Sequence, residues 1–211
     1  MPFPQWLQRL STVALVCLLL TTPCAVAKVP DSPPGSAATT CAGAPDDDSP
    51  LPFTGLPGTV SERSFFAIKP DGLQRGLVGE VVGRFERKGW KLVAMKLVEP
   101  GRTRVETHYA EHAGKPFFDN LVTYFCSGPV IAMVWEGLNV IAGGRKMLGG
   151  TNPMDAEMGT IRGDFATSPG RNLVHASDGP EAAGREISLW FGKDEVRPWV
   201  RSTDAWISKT N

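Results

Sequence analysis

Among the side chains of this sequence that could do chemistry near neutral pH, three are histidines: His108, His112 and His175. His108 and His112 stand four residues apart among polar neighbours, which reads as the solvated face of a helix. His175 is placed differently. It ends the apolar run Asn172–His175 and is followed by Ala176, Ser177 and Asp178. That pattern puts it at a sheet edge beside the start of a helix, where free amides and the helix dipole favour an anion. A neutral imidazole is a competent nucleophile, and a phosphorylated one remains a strong phosphoryl donor.

Phosphate also needs cations and donors. Lys69 precedes a Pro70-Asp71-Gly72 turn, Arg145 and Arg162 flank a long polar stretch from Gly149 to Thr167, and Thr151 adds a hydroxyl. Arginine can grip phosphate oxygens in bidentate fashion. Taken one at a time, Lys69, Arg145 and Arg162 each read first as an ordinary surface cation. The chain has no G-x-x-x-x-G-K-[ST] loop and none of the protein-kinase motifs. Residue types and spacing alone therefore stop at an anion-binding domain.

The elements that must carry these residues can be traced from periodicity. Ser64–Lys69 and Trp90–Val98 read as strands, and Leu77–Lys88 as a helix between them with Gly89 as its C-terminal cap. Thr103–His112 and Pro116–Cys126 read as two short helices, Val130–Trp135 as a buried strand, and Leu138–Leu148 as a helix. A short strand ends at His175. A last helix runs to Phe191, with Asp178 as its expected N-cap and Glu181 as the capping-box partner. Two split βαβ units in this order predict an α+β fold: a ferredoxin-like, four-stranded antiparallel sheet with helices on one face.

With 22 basic and 22 acidic residues, formal net charge is zero, so no global field draws in nucleic acid or an acidic membrane. Any anion must be held by a local cluster. Cys17, Cys24, Cys41 and Cys126 fit neither a zinc pattern nor a disulfide framework. Cys126 reads as a core thiol.

The N-terminus has its own character. Arg9 is the one charge before Lys28, Leu10–Leu20 is nearly all apolar, and Ala25-Val26-Ala27 resembles a cleavage site. Residues 1–27 thus read as a signal peptide or hydrophobic anchor, shorter than the about 20 apolar residues a spanning helix needs. The implied location is the secretory pathway, the exterior or an organelle lumen. A membrane-anchored or mitochondrial protein is the alternative, and membrane contact is expected only if residues 10–27 are retained. Residues 28–61, rich in Pro, Gly, Ser, Thr and Asp, read as a disordered linker, and 62–211 as the folded domain.

The stretches ERSFFAIKPDGLQRGLVGEVVGRFERKGWKLVAMK, KPFFDNLVTYFCSGPVIAMVWEGLNVI, GTIRGDF and GRNLVHASD resemble the nucleoside diphosphate kinase family, in order and over nearly all of residues 62–195. The resemblance implies a ping-pong exchange of the terminal phosphoryl of a nucleoside triphosphate, mainly ATP, through a phosphohistidine. His175 matches the nucleophile of the family's N-x-x-H-G-S-D motif, and Asn172 its asparagine. Lys69 matches the lysine of K-P-D-G. Arg145, Thr151 and Arg162 match the diphosphate clamp, Phe117 the aromatic that stacks on the base, and Tyr109 a tyrosine beside the phosphates. Ser177 and Glu186 match the groups that hold the imidazole. The resemblance further implies Mg²⁺ carried on the nucleotide phosphates rather than in an all-protein site, and a homohexamer. Two departures stand out. Ala176 replaces the glycine after the histidine, and the tail from Arg197 to Asn211 diverges. The competing class of function is a weakly active scaffold that binds protein or nucleic acid. The neutral charge counts against nucleic acid.

Overall fold

A computed structural model describes residues 52–208 of the chain. The N-terminal segment 1–27 and the linker as far as residue 51 lie outside the described residues. Four strands form one antiparallel sheet: β1 (Arg63–Ile68), β2 (Lys91–Val98), β3 (Val130–Glu136) and β4 (Val174–Ala176), in the spatial order β2-β3-β1-β4. The helices are α1 (Pro70–Gln74), α2 (Val78–Lys88), α3 (Arg102–His108), α4 (Phe118–Phe125), α5 (Val140–Leu148), α6 (Ile161–Phe165), α7 (Pro180–Trp190) and α8 (Asp204–Ile207). This is the ferredoxin-like α+β arrangement expected from the split βαβ order.

The sheet is covered on both faces, not on one. Every residue of β1 and β3 is buried, as the unbroken apolar runs SFFAI and VIAMVW require. Successive side chains of β1 enter opposite cores. Phe66 and Ile68 join Val81, Phe85, Trp135 and Ile141 under α2 and α5, while Phe65 and Ala67 join Val105, Phe125, Ile187 and Trp190 under α3, α4 and α7. Each such large side chain contributes roughly 1.5–3 kcal/mol by leaving water.

Local chemistry explains where the elements begin and end. Gly89 closes α2 at φ 94°, a left-handed position that costs glycine nothing. The Pro70-Asp71-Gly72 turn is in fact the start of α1, since proline is pre-shaped for the first helical position. The same preference overrides the expected Asp178 cap. Gly179 is the N-cap of α7 and Pro180 its first residue, with no side-chain cap. The long stretch 149–167 is not structureless. It contains a 3-10 turn at Pro153–Asp155 and the helix α6, whose N-cap Thr160 accepts from the Gly163 amide at 3.1 Å. The last ten residues of the segment read as linker pack onto the domain instead. Phe53 lies against the second core, its carbonyl accepts from Arg63 Nη1 at 2.7 Å, and Gly55 bridges to Glu62. No helix among the described residues is long and apolar enough to cross a membrane.

Candidate active site

β4 is only three residues long, and His175 is its middle residue, paired with Ala67 of β1. Its neighbours Val174 and Ala176 point into the first core, so the imidazole projects from the opposite face. The approach to β4 is strained. Leu173 has φ 69°, and the Val174 amide donates to the Asn172 carbonyl at 2.8 Å, closing a γ-turn. A bulky residue there costs on the order of 1–3 kcal/mol. The turn is held by the Leu173 amide donating to Asp71 Oδ2 at 3.1 Å, by the Lys69 amide donating to the Leu173 carbonyl at 2.8 Å, and by the buried Leu173 side chain.

The imidazole is oriented by α7. His175 Nε2 lies 3.0 Å from Glu186 Oε1, and Ser177 Oγ donates to Glu186 Oε2 at 2.5 Å. Burial pushes the imidazole well below its usual pKa, with Lys69, Arg162 and Arg145 pushing the same way. The ring is therefore neutral at pH 7. Burial raises the Glu186 pKa and the Ser177 hydroxyl opposes that rise; as a carboxylate the group only accepts, so Nε2 carries the proton and the lone pair is on Nδ1, which has no hydrogen-bond partner among the described residues. The side chain keeps 17% of its surface open, which leaves that lone pair reachable.

A cavity of about 670 Å³ opens over His175, within the usual size of a ligand pocket. Lys69, Arg145, Arg162, Arg171 and Arg185 line it, against the carboxylates of Glu111, Asp178 and Glu186. Lys69 is buried, and its Nζ donates to Asn172 Oδ1 at 2.7 Å. Burial, and then Arg162, lower the lysine pKa to about 7. Asn172 Nδ2 donates to the Thr151 carbonyl at 2.9 Å, tying the two walls together.

Arg162 proves to be more than a surface cation. Its guanidinium donates to the carbonyls of Asn172 (3.2 Å), Gly149 (2.8 Å) and Val174 (2.8 Å), clasping the γ-turn, and burial followed by Arg145 lowers its pKa to about 10. The Arg145 guanidinium makes no hydrogen bond among the described residues and is available to an anion. Tyr109 is buried beside the imidazole, ring centroids 5.8 Å apart, and burial holds its phenol far above the usual range. Phe117, half exposed, stands at the mouth of the cavity with Thr151 and Pro169. Nine of the ten residues anticipated from the sequence thus line one cleft, and the tenth, Ser177, is buried behind it on Glu186.

Two placements differ from the sequence reading. His108 is not on a solvated face. It is buried on the inner side of α3, three residues after Val105, and the Trp190 indole donates to its Nδ1 at 3.1 Å. His112 sits on the cavity rim, against Phe117 and near Lys115. Ala176 needs no positive φ; among the described residues only Asn139 and Leu173 do outside glycine. Its methyl belongs to the first core, although the residue also borders the cleft. Asp71 and Arg171 were missed. Asp71 also accepts from the Tyr124 hydroxyl, and Arg171 lies over the Tyr124 ring at 4.2 Å. The Pro-Asp-Gly sequence signalled a turn but not what its aspartate would hold.

The nucleoside diphosphate kinase family model matches residues 62–196. The chain belongs to the nucleoside diphosphate kinase family. Among its relatives, the nucleoside diphosphate kinase of Synechococcus sp. (strain JA-3-3Ab) is 58% identical over 146 residues, covering 69% of this chain and 98% of that one. The one from Prochlorococcus marinus (strain MIT 9313) is 59% identical over 145 residues, covering 69% and 95%. Among solved structures, the halophilic nucleoside diphosphate kinase of Halobacterium salinarum in complex with CDP aligns with TM-score 0.69 and 47% identity, over 70% of this chain and 99% of that one. The nucleoside diphosphate kinase family protein of Babesia bovis aligns with TM-score 0.68 and 47% identity, over 70% and 99%.

Proposed function

We propose that this protein is a nucleoside diphosphate kinase working through phospho-His175. The observation that carries the proposal is the pairing of an oriented, neutral imidazole with a cationic cleft. Nε2 is tied to Glu186, and Nδ1 is free beside Lys69, Arg145 and Arg162. In the first half-reaction the Nδ1 lone pair attacks the terminal phosphorus of a nucleoside triphosphate. The P–N bond forms, the bond to the β-phosphate oxygen breaks, and the diphosphate leaves. A second diphosphate then attacks the phosphohistidine, and the electron pair returns to Nδ1. The attacking Nδ1 has no proton to lose, because the proton of the neutral ring is on Nε2, directed at Glu186 Oε1.

Phosphoryl transfer asks the protein mainly for position and charge. Lys69 and Arg145 supply charge on the phosphates, Arg162 and Asp71 hold the strained turn that aims His175, and Tyr109 walls the ring. Phe117 offers a face on which any base can stack, which gives wide nucleotide tolerance. Mg²⁺ prefers oxygen ligands in octahedral geometry. The one group of possible metal ligands among the described residues, His108, His175 and Glu186, has two imidazoles and one committed carboxylate, and does not suit it. Mg²⁺ would instead travel on the nucleotide phosphates.

A homo-oligomer, and a hexamer by family resemblance, is supported by the exposed apolar residues Leu97 on edge strand β2 and Trp206 on α8. Sedimentation velocity tests it. Export by residues 1–27, followed by a linker, is tested by mass mapping of the native N-terminus; a mature chain that retains Met1 sinks the cleaved form.

To test the activity, the purified protein is incubated with γ-labelled ATP and Mg²⁺, beside His175→Gln. Acid-labile, base-stable label that the variant lacks and that GDP removes supports the proposal. A folded wild-type protein that takes no label refutes it.

A further inference from the structure

His108 lies against the proposed nucleophile, ring centroids 4.4 Å apart, yet has no place in the transfer described above. Its proton can be located. The Trp190 indole N–H can only donate, so His108 Nδ1, 3.1 Å away, must accept. Burial drives the ring's pKa down to about 3, so it is neutral at working pH and its single proton is on Nε2. That N–H is fully buried and has no hydrogen-bond partner. The acceptor it faces is Glu186 Oε1, 3.8 Å away, the same oxygen that holds His175 Nε2. A buried donor left unmade is costly, which favours its closing onto that oxygen whenever the oxygen's charge demand rises.

The demand rises in the phosphoenzyme. With phosphorus on Nδ1 and the proton on Nε2, the ring is an imidazolium, and the proton can pass to Glu186. If it does, the leaving group in the second half-reaction is imidazolate, a poor one. If it stays, the P–N bond breaks, the pair returns to Nδ1, and neutral imidazole departs. We propose that His108 is a positioning residue that keeps this proton on His175, its Nε2–H sharing Glu186 Oε1 and lowering that oxygen's appetite for a proton. The inference rests on the phosphohistidine reading above.

The test compares two amide variants of the full chain. In His108→Asn the amide oxygen can occupy the Nδ1 position and accept from Trp190, with no donor at the Nε2 position. In His108→Gln the amide nitrogen can reach the Nε2 position. Phosphoenzyme made with γ-labelled ATP is chased by GDP in single-turnover mode. The expected result is a chase slower by on the order of tenfold in His108→Asn, the worth of one charge-assisted hydrogen bond, with loading less affected and His108→Gln close to wild type. His108→Asn chasing at the wild-type rate, or both half-reactions slowing equally, overturns the proposal. Wild type that takes no label refutes the functional reading itself. Should both variants melt far below wild type, ¹⁵N-labelled wild type decides. The His108 Nε2 proton moves downfield on phosphorylation of His175 if the bond closes, and an unmoved resonance or a proton on Nδ1 overturns it.

Discussion

Lys69 carries a pKa of about 7 in the cleft, because burial and the neighbouring Arg162 disfavour its charge. A nucleotide phosphate placed against Nζ reverses that balance, so binding must take up a proton wherever the free lysine is neutral. At pH 8 about 0.9 proton per site is taken up, at pH 7 about 0.5 and at pH 6 about 0.1, from a free-state pKa of about 7 and a fully charged complex. The measurement is calorimetric titration with ADP in pairs of buffers that differ in ionisation enthalpy. Lys69→Met, which keeps the apolar stem and removes the amine, supplies the baseline. The wild-type minus variant difference isolates the lysine from the titration of ADP itself. A difference near zero at pH 8, or one that does not fall between pH 8 and pH 6, refutes the assignment. The same shift has a stability consequence. The folded pKa lies below the unfolded lysine value, so the fold penalises the charged form. Lys69→Met should gain most over wild type below pH 7, and the gain should fade as pH rises toward the ordinary lysine value of 10.5.

Three further outcomes are expected. Phe117→Ala removes the stacking face and should weaken all nucleotides alike, by about 1–3 kcal/mol in kcat/KM; a loss confined to purines would mean that base edges are being read. Ala176→Gly removes a methyl buried in the first core and loosens β4, so thermal or urea unfolding should show a loss of about 1–2 kcal/mol with turnover within about twofold of wild type. A large rate gain would mean that the methyl obstructs the cleft. Glu136→Ala strands Arg63 and Lys91, which lie 2.6 Å from its two carboxylate oxygens, and should cost roughly 3–5 kcal/mol on denaturation. A loss below about 1 kcal/mol would show the pair to be solvent-relaxed.

The order of the four strands and the longer helices was legible in the linear chain. β1 and β3 announce themselves because a strand covered on both faces must be apolar at every position. α2 is legible because its apolar residues recur at helical spacing and end at Gly89. The chemistry of His175, Lys69 and the arginines came only as residue types. What made them a site on paper was likeness to a known family, because no spacing rule brings Lys69, Arg145 and His175 together.

Tertiary structure alone decided the rest. Periodicity could not place helices on both faces of the sheet, since one amphipathic stripe looks the same whichever face it covers. His108 looked solvated by its neighbours in the chain, but α3 turns it inward with Val105, onto Trp190 of α7, 82 residues away. Nothing local marks Leu173 as left-handed. Its φ is held by Asp71 and Lys69, which touch it in space but lie far away in the chain, Asp71 by 102 residues. Likewise the lysine pKa, the tautomer of His175 and the clasp of Arg162 arise from desolvation and from partners distant in sequence. Residue identity determines which groups can donate, accept or titrate. Burial and long-range contacts determine which of them do.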